Sequence, residues 1–118
     1  MQVGLTQFLL VGAGGAMGAM LRLAALSLLM PLWGTMLVNI AGSFLMGVLV
    51  AQSGWMSAEH RLLLGTGLLG GFTTFSAFSA DVGAFAQNGA WGLAGLYVLG
   101  SVALSLLGFW AGFMLTKA

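Results

Sequence analysis

Gly70-Gly71-Phe72-Thr73-Thr74-Phe75-Ser76-Ala77-Phe78-Ser79 lies inside the third of four hydrophobic segments, at a depth where a membrane helix should be uniformly apolar. The stretch instead holds two adjacent glycines, four hydroxyl side chains and three phenylalanines spaced i, i+3, i+6. Each glycine weakens a helix by roughly 1 kcal/mol relative to alanine. The hydroxyls can bond the backbone groups that a break would free. Irregular backbone survives at membrane depth only where protein covers it or where it lines a cavity. The stretch therefore predicts a third helix broken over Gly70–Thr74 and holding a site, with the other segments as walls.

The rest of the chain supports a membrane setting. Of its 118 residues, 60% are hydrophobic and only 4% charged. A soluble domain carries about 25% charged residues, so these charges are too few to cover a water-facing surface. Three Lys+Arg against two Asp+Glu give no basic or acidic field, and nothing points to nucleic acid. The absence of cysteine excludes a disulfide, a thiolate metal site and a cysteine nucleophile.

A spanning helix needs about 20 apolar residues. The spans are expected at 3–30, 32–52, 61–86 and 90–116, forming one all-α, four-helix transmembrane domain. The N-terminus lacks the basic region of a signal peptide, so the first span is expected to be retained. Trp33, Trp55 and Trp91 fall at span ends, as an aromatic belt requires. Gly14/Gly18, Ser43/Gly47 and Gly92/Gly100/Gly108/Gly112 form rows of small residues, which let helices approach closely. Some rows are expected to pack within one chain and some against a second subunit. Lys and Arg are nearly balanced across the two sides, so the positive-inside rule barely chooses an orientation. Insertion both ways up is expected, with a dimer of inverted copies as the consequence.

Two helices carry neutral donors in register. Thr35, Asn39 and Ser43 share one face of the second segment, and Tyr97, Ser101 and Ser105 one face of the fourth. Such rows can be interhelical hydrogen bonds. Beside a broken helix they fit a polar pathway better. Cation and proton routes need a carboxylate at depth, and segments one, two and four offer none. A small anion needs donors, and a phenyl ring presents a positive edge. Phe75 and Phe78 fit that role, although on spacing alone ordinary packing is the safer reading. Arg22 is expected to reach the far interface or to draw anions into a vestibule. Asp81 is expected near the mouth of the broken stretch. Carbonyls freed by a break can bind Na⁺, with Gly70 and Thr73 as candidates.

These elements resemble the Fluc (CrcB-type) fluoride channels over essentially the whole length. The resemblance rests on Gly15-Ala16-Met17-Gly18-Ala19-Met20-Leu21-Arg22, on Gly34-Thr35-Met36-Leu37-Val38-Asn39-Ile40-Ala41-Gly42, on the Gly70–Ser79 stretch and on the Tyr97/Ser101/Ser105 row. It implies an antiparallel, dual-topology homodimer with two fluoride pores in the plasma membrane, exporting fluoride passively. It implies that Phe75 and Phe78 turn their ring edges to fluoride. It places Asn39, Ser76, Ser79, Tyr97, Ser101 and Ser105 along the route. It also implies a structural Na⁺ held by the Gly70 and Thr73 carbonyls of both copies. Ala77 stands where the family usually has threonine, and Asp81 where it usually has glutamate. The alternative is a small multidrug-type, proton-coupled antiporter, which needs a carboxylate in the first helix. A non-transporting assembly subunit leaves the donor rows without a purpose, and an enzyme lacks a nucleophile–base pair or metal cluster.

Overall fold

The computed structural model describes residues 2–31 and 33–117. Among these, four helical spans are long and apolar enough to cross a membrane. They are α1 (Leu5–Leu28), α2 (Gly34–Gln52, continued by a tight helical turn over Ser53–Trp55), α3 (Ala58–Gln87) and α4 (Trp91–Thr116). Leu32, where the sequence starts the second span, lies outside the described residues. The third span begins three residues earlier than expected. Ser57 caps it, its hydroxyl accepting from the His60 amide at 3.1 Å, which satisfies one of the orphan donors of the first turn.

Two helix pairs make most of the fold. The first half of α3 lies along α1, and α4 lies along α2. Close approach of backbones explains both. A Cβ on Gly18 would collide with the Leu68 carbonyl, and one on Gly71 with the Gly15 carbonyl. On the other pair, a Cβ on Gly112 would collide with the Phe44 carbonyl and one on Gly47 with that of Phe109. Part of the small-residue pattern thus holds one chain together, while Gly92, on the same row of α4, faces open space.

The largest local departure is in α3. Leu62–Leu69 winds as a π-helix, Gly70–Phe72 returns to α-helix, and Phe75–Gln87 forms a separate second half. The break falls on Thr73 and Thr74 alone, whose backbones are extended at φ −84°, ψ 155° and φ −149°, ψ 119°. The expectation of a break over Gly70–Thr74 is corrected accordingly. Gly70 and Gly71 are helical, and Gly71 serves the packing of α1 rather than the interruption.

Candidate functional site

The break is made by side chains. The Thr74 amide donates to Asn39 Oδ1 at 2.8 Å, and Asn39 Nδ2 donates to the Thr74 carbonyl at 3.0 Å. The Ala77 amide donates to Thr74 Oγ1 at 3.1 Å, so Thr74 is the N-cap of the second half of α3. In a continuous α-helix these two amides would reach the carbonyls four residues earlier, those of Gly70 and Thr73. Asn39 and Thr74 thus divert the donors that would have satisfied both carbonyls. Gly42, on α2, lets this happen at close range: a Cβ there would strike the Thr73 methyl group. Thr73 Oγ1 donates to the Leu69 carbonyl at 2.9 Å and closes the first half.

A cavity of about 380 Å³ opens beside the break. Its walls are α2 at Asn39, Ser43 and Met46, the break at Thr73 and Thr74, the second half of α3 at Phe75 and Phe78, and α4 at Ser101 and Ser105. No ionisable residue among the described residues lines it. The N-terminal end of the second half of α3, which bears the positive end of its helix dipole, forms part of the wall through Thr74 and Phe75. The buried Ser101 hydroxyl has no hydrogen-bond partner among the described residues. Uncharged donors, a helix N-terminus and two aromatic rings suit a small anion stripped of part of its water.

Seven of the residues singled out from sequence therefore converge here: Asn39, Ser43, Thr73, Phe75, Phe78, Ser101 and Ser105. Phe78 is buried, at 9% exposure, whereas Phe75 is 76% exposed. Their ring centroids lie 5.1 Å apart at 50°. Other chosen residues lie off the cavity wall. The Ser76 hydroxyl meets Thr74 Oγ1 at 3.1 Å, and Ser79 Oγ donates to the Phe75 carbonyl at 3.0 Å. The Tyr97 hydroxyl donates to Asp81 Oδ2 at 2.5 Å, and its ring stacks on Phe78 with centroids 5.8 Å apart. Asp81 and Tyr97 thus form a pair behind Phe78. Arg22 is half-buried on α1, its Nε without a partner among the described residues.

Thr74 also belongs to the wall and was absent from the residues chosen. A hydroxyl three residues before Ala77, ahead of a helical run, is an N-cap signal in the sequence. Ser43 continues the Asn39 face by one turn.

A family model described as CrcB-like protein, Camphor Resistance (CrcB) matches residues 9–113. The chain is 50% identical to the fluoride-specific ion channel FluC of Phenylobacterium zucineum (strain HLK1), covering 92% of this chain and 94% of that protein. It is 48% identical to the FluC of Chelativorans sp. (strain BNC1), covering 93% and 95%. It is 45% identical to that of Rhodopseudomonas palustris (strain BisB5), covering 94% and 97%.

Proposed function

The chain belongs to the CrcB-like family, and from that membership we infer that it is a fluoride-specific ion channel of the plasma membrane, a multi-pass transporter and not an enzyme. The observation that carries the reading is the uncharged, donor-lined cavity joining Asn39, Phe75, Phe78, Ser101 and Ser105. A fluoride entering it exchanges water for hydroxyl and amide hydrogens and for ring edges. Asn39 uses one Nδ2 hydrogen and its carbonyl on Thr74, which leaves one amide hydrogen for the anion. Ser101 contributes a hydroxyl with no competing partner. Ser76, Ser79 and Tyr97 act from behind this wall. Arg22 and Asp81 serve as mouth or vestibule residues. Passive export of fluoride is the physiological task.

The working unit in this reading is a dual-topology homodimer of inverted copies with two pores. The exposure of Phe75 at membrane depth and the near balance of Lys and Arg support it. A structural Na⁺ sits between the two copies on the Gly70 and Thr73 carbonyls. The residues fit such an ion: each chain offers two uncharged carbonyl oxygens whose helical donors are diverted by Asn39 and Thr74. Two copies supply four of the roughly six oxygens a hard cation takes. The ion would neutralise the paired carbonyl dipoles and fix the breaks against each other. The antiporter alternative does not hold for a chain of this family, and the one carboxylate in the second half of α3, Asp81, is engaged by Tyr97.

The test is fluoride efflux from liposomes containing the purified protein, read with a fluoride electrode. Fluoride leaves rapidly and chloride does not. No fluoride flux, or equal chloride flux, overturns the reading.

A further inference from the structure

The hydroxyl row of α4 stops at Ser105. The next position on that face, Phe109, is an aromatic ring stacked on Phe113 with centroids 6.5 Å apart. Yet on α2 the cavity wall continues past Asn39 to Ser43 and Met46. α2 and α4 run in the same direction. A Cβ on Gly100 would meet the Met36 methyl group at 3.7 Å, one on Gly108 the Ile40 carbonyl at 3.2 Å, and one on Gly112 would collide with the Phe44 carbonyl. On α2, Gly47 abuts the Phe109 carbonyl, so Ser43, one turn earlier, stands between the Ser105 and Phe109 levels. It lines the same cavity, one helical turn beyond Asn39.

The state of its hydroxyl matters as much as its place. Several serines and threonines elsewhere spend their hydrogen on a carbonyl of the preceding turn. Ser27 donates to Ala24, Ser53 to Val50, Ser79 to Phe75 and Thr116 to Gly112. Among the described residues Ser43 makes no such bond, although the Asn39 carbonyl lies one turn behind it. An idle hydroxyl facing a cavity at membrane depth is a donor in need of an acceptor.

We propose that Ser43 is a further fluoride-coordinating residue, the step at which the hydroxyl row passes from α4 to α2 beyond Ser105. The inference rests on the channel reading above. An anion leaving Ser105 meets apolar wall on α4 and a free hydroxyl on α2. Ser43 extends the row toward the Gln52 and Thr116 ends of the two helices.

The test compares the unaltered chain with S43A, S43G and S43T in liposome efflux, after size-exclusion chromatography has shown each to be intact. S43A lowers fluoride efflux about tenfold, the effect of losing one charge-assisted hydrogen bond at the barrier. S43T, which keeps the hydroxyl, stays within about twofold of the unaltered chain. S43G separates hydroxyl from bulk and falls with S43A. If S43A and S43G conduct normally, or S43T falls as far as they do, Ser43 is a packing residue and the inference fails. Absent flux through the unaltered chain would instead sink the channel reading itself.

Discussion

Asn39 on α2 holds both backbone groups of Thr74 on α3, accepting from its amide at 2.8 Å and donating to its carbonyl at 3.0 Å. One side-chain amide thereby substitutes for a stretch of helix. It terminates one half of the span, orients the cap of the next, and leaves the Gly70 carbonyl without its helical donor. The arrangement ties the cavity to the break, because a residue of the cavity wall also holds the break open.

Replacing Asn39 therefore changes more than one property. Asn39→Asp keeps the acceptor for the Thr74 amide but sets an oxygen against the Thr74 carbonyl and a negative charge on an anion route. Fluoride efflux is lost. Asn39→Leu lets the Thr74 amide return to the Gly70 carbonyl, resealing the helix. The break closes, which thermal unfolding in detergent with and without Na⁺ reads out. Any stabilisation by Na⁺ over a large organic cation disappears with it. An Asn39→Leu protein that retains Na⁺-dependent stability would separate the cation from the break.

Phe75 and Phe78 should respond differently despite their shared motif. Phe78 is packed against Tyr97, so Phe78→Ala costs about 3–5 kcal/mol of stability by analogy with buried aromatic truncations. Phe75 is exposed on the single chain, and Phe75→Ala leaves its fold intact. Phe75→Ile and Phe78→Ile both reduce fluoride efflux strongly while the purified protein stays monodisperse. Efflux assays with melting curves on the same samples check both statements.

Tyr97 and Asp81 act as one unit. Tyr97→Phe removes the hydroxyl that satisfies Asp81 Oδ2 and exposes a carboxylate behind Phe78, so efflux falls. Asp81→Asn removes that charge, and the double variant recovers part of the loss. The coupling measured by the double-mutant cycle exceeds about 0.5 kcal/mol, as expected for residues in contact. Additive effects would show that the pair does not communicate.

Gly18→Ala tests the packing of α1 on α3. The added methyl group collides with the Leu68 carbonyl and Phe72 amide, which are backbone and cannot rotate away. Overpacking of this kind costs about 1–3 kcal/mol. Gly92→Ala, which meets open space, leaves the melting temperature of the single chain unchanged.

The sequence by itself determined the membrane setting, the four spans, the interruption of the third and most of the cavity residues. These follow from local quantities: apolar run length, scarcity of charge, and hydroxyls repeating every four residues. Only the tertiary structure decided where the interruption falls and what Tyr97 does. The glycines look like the weak point of α3, but α1 packs against Gly71 and keeps that turn helical. The break moves to Thr73–Thr74 because Asn39, thirty-five residues earlier in the chain, offers a donor and an acceptor there. Tyr97 shares its helical face with Ser101 and Ser105, yet Asp81 on a different helix takes its hydrogen. Helical periodicity specifies which side chains share a face; which partner then satisfies each polar group is settled by helices that are distant in sequence and adjacent in space.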